Sequence, residues 1–141
     1  MPRLPGPAAR DRFAAARVAR LASVSAAGQP HIVPCVFALY GDLVYTAVDG
    51  KPKTTRDLQR LANIRSQPRV ALLADQYTED WASLWWVRAD GDAAILETPG
   101  QMAGPLRLLA ARYPQYLATP PPGPVIAVTI RRWAGWTATP G

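Results

Sequence analysis

The chain has little of what most directly carries chemistry. Its 141 residues include one cysteine, Cys35, and one histidine, His31. A single cysteine excludes an intramolecular disulfide and any multi-cysteine metal cluster. The lone histidine would have to serve alone in any Ser/His/Asp or Cys/His arrangement. No carboxylate pair at helical spacing, glycine-rich phosphate loop or metal-ligand spacing accompanies it. No metal site is therefore expected. Long apolar runs are missing too, since none reaches the roughly 18 residues a membrane span needs. Residues 1–20 alternate Arg with Ala and lack the continuous apolar stretch of a secretory signal. A cytoplasmic protein without membrane association is the expectation. Lysine is scarce, 2 against 14 arginines, a bias that fits a GC-rich genome.

What is present fits one domain over residues 10–141, with a Pro- and Ala-rich segment, 1–9, expected to fray. The hydrophobic fraction of 49% suffices for a real core. Net charge is +6, and the excess is local. From Lys51 to Arg69 there are six bases (Lys51, Lys53, Arg56, Arg60, Arg65, Arg69) and one acid, Asp57, while the remainder is nearly balanced. A focused anion site suits that pattern better than a generally basic surface.

Periodicity places a helix over residues 10–21, a short strand over 21–25 and a long β segment over 31–39. Pro34 inside that segment cannot donate to a ladder, which implies an edge, a bulge or a backbone turned toward something other than a strand. A turn at Gly41 leads into a strand over 43–48, so the three strands should form a meander. A helix capped by Thr54 or Thr55 runs to about Ser66 and is stopped by Pro68. Strands over 69–75 and 85–97, the latter bulged near Asp90-Gly91, a helix over 101–113 and a strand over 123–133 complete the pattern. Six antiparallel strands joined by short links suggest a small, mainly β barrel with helices at its ends.

The basic segment Lys51-Pro-Lys53-Thr54-Thr55-Arg56 lies at a strand-to-helix junction. A helix N-terminus offers unpaired N–H groups and partial positive charge, so these side chains would converge on a phosphate. The plainer reading is a solvated loop with an ordinary Thr cap. Trp81, Trp85 and Trp86, with Tyr77 nearby, would stack on a planar ring, bury at an interface or simply fill the core. Adjacent in a strand, Trp85 and Trp86 point to opposite faces, which favours a covered outer surface and hence a dimer. Cys35 reads as a buried small hydrophobe rather than a reactive thiol. If the chain is an enzyme, a bound cofactor has to carry the chemistry.

Three stretches together resemble the pyridoxamine 5′-phosphate oxidase-like split-barrel superfamily. They are Leu21-Ala-Ser-Val-Ser with Gly28-Gln-Pro-His31-Ile-Val-Pro34, Lys51-Pro-Lys-Thr-Thr-Arg56-Asp-Leu58, and Arg65-Ser-Gln-Pro68-Arg-Val70. The segment from Asp80 through Trp85-Trp-Val-Arg88 to Gly91 further resembles its actinobacterial branch of coenzyme F-420-dependent enzymes. The resemblance implies a six-stranded split barrel and a homodimer with two cofactor sites at the subunit interface. It implies that Val33, Pro34, Cys35, Val36 and Phe37 run alongside the tricyclic ring. Lys51, Lys53, Thr54, Thr55 and Arg56 would take the phosphate, and Trp81 and Trp85 of the second subunit would complete the ring pocket. The oligoglutamate tail of the deazaflavin suits the bases around Arg60, Arg65 and Arg69. FMN is the alternative cofactor, and haem occurs in the superfamily.

The expected activity is hydride transfer from reduced coenzyme F-420 to an unsaturated small molecule, with His31 or Tyr45 as candidate proton donors. An FMN-dependent oxidase or reductase, and a carrier that binds flavin, deazaflavin or haem without turnover, are the alternatives. A nucleic-acid-binding barrel fits poorly, because Glu79 and Asp80 flank the Trp cluster where bases should interleave.

Overall fold

The computed structural model describes residues 3–48 and 55–139, the side chains of residues 55–58 excepted. Two prolines shape the start. Arg3–Leu4 (β1) is a short strand, and Pro5 and Pro7 then sit at the N-cap and first turn of Gly6–Ala15 (α1). Proline is pre-organised for that position because its missing N–H has no intrahelical partner there anyway. Within the segment expected to fray, residues 3–9 form β1 and the start of α1, with Arg3 opposite Trp136 and Leu4 opposite Gly135. The helix expected over 10–21 lies earlier and ends at Ala15. Ala19–Val24 (β2) follows as a strand that alternates buried and exposed residues.

The segment expected to form one long strand divides into Pro30–Cys35 (β3) and Ala38–Tyr40 (β4). Leu43–Ala47 (β5), Thr55–Ser66 (α2), Arg69–Gln76 (β6), Trp85–Leu96 (β7), Pro99–Arg112 (α3), Gln115–Ala118 (α4) and Val125–Thr137 (β8) complete the chain. The sheet is antiparallel in the order β3-β2-β6-β7-β8-β5-β4, with β1 also paired to β8. Among the described residues eight strands therefore stand where six were expected. The meander is split as well: β3 pairs with β2 and β4 with β5, and β3 and β4 are the two opposite edges.

That split dictates the architecture. Only Val36 and Phe37 separate the two edges, and three Cα steps span at most about 11 Å. A flat seven-strand path is far wider than this at about 4.8 Å per strand. The sheet must curl until its edges nearly meet, which makes a split barrel. Phe13, Leu21, Phe37, Val44, Leu72 and Ile126 are fully buried inside it. α1 closes one end through Phe13, whose ring lies 4.7 Å from Phe37 and 5.4 Å from Trp133.

Among the described residues no ladder spans the seam; side chains at the C-terminal end of α3 hold it. The Arg112 guanidinium donates to the carbonyls of Phe37 (2.8 Å) and Ala16 (2.7 Å). The Tyr113 hydroxyl accepts from the Phe37 N–H (3.2 Å) and lies 2.9 and 3.0 Å from the carbonyls of Phe37 and Arg17. Its one proton serves those two carbonyls in turn. Arg112 also lies 5.0 Å from the Phe37 ring centroid, within cation–π range.

Candidate functional site

α2 lies against β2 and β7, and its inner face carries polar groups into the barrel wall. Asn63 is only 1% exposed; its Nδ2 donates to Ser23 Oγ at 3.0 Å, and its Oδ1 accepts from Gln59 Nε2 at 2.6 Å. Arg60, 7% exposed, lies one turn earlier on the same helix. A buried amide must find partners, since leaving one unpaired costs about 1–3 kcal/mol. These bonds fix how α2 is presented, and with it the start of the helix at Thr55. Lys51, Lys53 and Thr54 lie outside the described residues. Thr55 and Arg56 open α2, their side chains likewise outside the description.

Next to β2, β3 directs His31, Val33 and Cys35 inward and Ile32 and Pro34 outward. Pro34 stands opposite Arg20 on an edge strand, one of the three placements its missing N–H allowed. Among the described residues no strand pairs with the other side of the β3 backbone. His31 stands opposite the buried Ser23, and its Nδ1 is buried without a hydrogen-bond partner. Val36 packs toward α3, and Phe37 turns fully into the core with its backbone clasped by Arg112 and Tyr113. The five residues from Val33 to Phe37 therefore do not share one face. Tyr45, half-buried on β5, lies opposite Ala38 and Ala127, two strands that do not include β3.

The Cys35 thiol is pushed up to about 11, from 9.0, chiefly by burial. A hydrogen bond with Thr46 and the charges of Arg60 and Arg20 offset only part of this. It stays a neutral thiol at physiological pH, in a small polar niche shared with Thr46, and is no nucleophile. At pH 8 its thiolate fraction is roughly 100-fold below that of an ordinary cysteine with the 9.0 value. Alkylation by iodoacetamide, followed by intact mass, should be slower by at least that factor. The rate should climb about tenfold per pH unit toward 11. Modification as fast as that of glutathione would show that the thiol is not desolvated.

On the opposite surface of the sheet, β6 and β7 form a groove of about 380 Å³ lined by Leu73, Asp75, Tyr77, Trp86 and Arg88. Arg88 is held there by Asp90, Nε to Oδ1 2.9 Å. Trp85, one residue away, faces the other side: it packs against the barrel core with the Arg12 guanidinium 5.2 Å from its ring. Trp81 is 77% exposed on a short 3-10 turn, Trp81–Ser83, capped by Asp80. Gln76 Nε2 donates to the Ser83 carbonyl at 3.0 Å and Ser83 Oγ to the Asp80 carbonyl at 2.9 Å, so the excursion is braced from within. The resemblance implies a ring pocket completed by Trp81 and Trp85 of a second subunit. Within one chain, the structure leaves Trp81 in solvent, buries much of Trp85, and brings Trp86 to the groove. Alternation along β7 was the available signal, but it could not say which Trp faced out.

Among the described residues no cluster of His, Cys, Asp or Glu could hold a metal ion. None of their helices is long and apolar enough to cross a membrane.

Comparison with known proteins agrees with the architecture. No curated protein matches the chain. The fold is shared with a conserved hypothetical protein of Mycobacterium tuberculosis (21% identity, TM-score 0.76, 96% of this chain and 86% of that one). It is also shared with an FAD-binding protein of Mesorhizobium loti (21%, 0.74, 94% of each chain) and the haem storage protein HutZ of Vibrio cholerae (12%, 0.68, 93% and 92%). A family model described as pyridoxamine 5′-phosphate oxidase matches residues 6–137, nearly the whole barrel, and the chain therefore belongs to that family.

Proposed function

We propose that this chain is a coenzyme F-420-dependent oxidoreductase that acts as a cytoplasmic homodimer, with cofactor sites at the subunit interface and a small unsaturated molecule as acceptor. One observation carries the reading: a basic segment leads directly into the N-terminus of α2, a helix of 12 residues docked by buried polar bonds beside an edge strand. Such a terminus suits a phosphate, with Lys51, Lys53, Thr54, Thr55 and Arg56 around it. The free side of the β3 backbone suits the polar rim of a flat ring, and the orphaned His31 Nδ1 leaves one buried polar atom to be satisfied. Of the bases around Arg60, Arg65 and Arg69, the exposed Arg69 suits an anionic tail directly, while Arg65 would exchange its 3.9 Å contact with Glu97 for it. The bound coenzyme supplies the hydride chemistry; the chain binds it, orients its ring and excludes water.

FMN in the same site, in an oxidase or reductase, is the nearest alternative. A carrier without turnover is the second reading, favoured by the fold shared with an FAD-binding protein and a haem storage protein and by the neutral Cys35 thiol.

A fluorescence titration with coenzyme F-420 and, separately, FMN tests the assignment. Lys53→Ala should weaken binding of the preferred coenzyme about 10- to 100-fold, the loss of one charge-assisted hydrogen bond of roughly 1.5–3 kcal/mol. The thermal midpoint should not move. Preference for FMN would transfer the protein to the flavin branch. Unchanged affinity in the folded variant would remove the phosphate from this helix.

A further inference from the structure

We propose that a second copy of this chain packs on the outer face of β3-β2-β6-β7, with Arg20 of each copy paired to the partner's Asp75. This rests on the dimer reading above and adds which surface closes and what holds its register.

The face is built by strand alternation. Arg20 and Val24 on β2, Ile32 and Pro34 on β3, Leu73 and Asp75 on β6, and Trp86 on β7 all stand on the side away from the core. Ile32 is 64% exposed and Val24 37%. An apolar patch on a sheet face is commonly an interaction surface.

Charge selects the occupant. Arg88, Arg131 and Arg65 are each neutralised within the chain, by Asp90, Asp92 and Glu97. Arg20 and Asp75 make no ion pair among the described residues. Arg20 stands opposite Leu73, and Asp75 is two residues further along the same strand, so the two are diagonal neighbours about 7–8 Å apart. A two-fold axis lying in the interface, parallel to the sheet and perpendicular to the line joining the two residues at its midpoint, brings the two positions over one another. Each Arg20 then lies over the partner's Asp75, twice per dimer. A surface that is its own complement under a two-fold rotation fits a second copy.

The same arrangement completes the groove. Its walls, Tyr77 and Trp86, and its polar groups, Asp75 and Arg88, are open on the outer side. Trp136 stands opposite Trp86 in register, and its Nε1 is buried without an acceptor. A second copy over this face roofs the groove.

Charge reversal in the full chain tests the pairing. In sedimentation velocity at low micromolar concentration the native protein should run at twice its 15.3 kDa chain mass. Arg20→Asp and Asp75→Arg, each placing like charges together, should weaken association at least 100-fold and give monomers. The double variant Arg20→Asp/Asp75→Arg should return to within tenfold of the native affinity. Ile32→Glu reads the same face without touching either charge and should also give monomers. Circular dichroism checks that each variant is folded. A monomeric native protein, single reversals that stay dimeric, or a double variant as dissociated as the singles would each overturn the proposal. So would an undiminished Ile32→Glu dimer. Coenzyme titration of the native protein is a separate readout: a dimer that dissociates on reversal yet binds neither F-420 nor FMN keeps this interface and loses the cofactor assignment.

Discussion

Gly91→Ala should lower the thermal midpoint by about 10 °C or more, and Gly91→Val should prevent folding at 37 °C. Gly91 lies where the β7–β8 register shifts, between Asp90 and Gly91. A Cβ there would stand 2.3 Å from the Thr129 carbonyl oxygen and 2.9 Å from Val128 Cγ1. The first contact is with backbone, so no rotamer change relieves it. The strands would have to separate, and β7–β8 is the longest ladder in the sheet, running from Trp85–Thr137 to Leu96–Val125. Overpacking of this kind costs about 3 kcal/mol or more, and each kcal/mol moves the midpoint of a domain this size by about 3–4 °C. Differential scanning calorimetry of the alanine variant decides it. A midpoint within 2 °C of the native value would mean that the bulge relaxes freely.

Breaking the side-chain clasp on the seam should have the next largest effect. Arg112→Ala leaves the Ala16 carbonyl without its donor at 2.7 Å and removes the guanidinium from the Phe37 ring. Tyr113→Phe strands the buried Phe37 N–H. Each should cost about 2–3 kcal/mol in urea-unfolding free energy. Arg112→Lys should recover less than half, because a point charge cannot bond two separate carbonyls as a planar fork does. Both residues act on Phe37, so the double variant should depart from additivity by about 0.5 kcal/mol or more. Strict additivity, or full recovery with lysine, would show that the two residues do not act as one clasp.

The seam also shows where the sequence stops being informative. Nothing between His31 and Leu39 marks a change of strand, since Val36 and Phe37 are good β formers and the apolar run continues unbroken. The break is imposed by sheet closure and by Arg112 and Tyr113, 75 and 76 positions away from Phe37. Local signals succeed where the cause is local. Pro34 constrained its segment to a place where a missing N–H does no harm, and the edge of the sheet is one such place. Asp90-Gly91 announced the bulge, and Pro68 the end of α2. Pro5 and Pro7 misled because proline-rich termini often fray, whereas here they start a helix whose Phe13 enters the core. The segment proposed for the phosphate was legible as basic residues before a helix start, and the structure describes that helix from Thr55. The outer groove was not, because it needs the register of β6 against β7 to bring Asp75 beside Trp86.

β8 is synthesised after every strand it joins. It pairs with β7 along its length and with β5 and β1 on its other side. Until it leaves the ribosome the nascent chain holds two sheet fragments, β3-β2-β6-β7 and β5-β4, with no strand ladder bridging them among the described residues. Both β7 and β5 then present raw edges of unpaired backbone, templates for any neighbouring chain. Cellular yield should therefore depend on how quickly translation runs from β7 to β8, and on chaperones that shield those edges meanwhile.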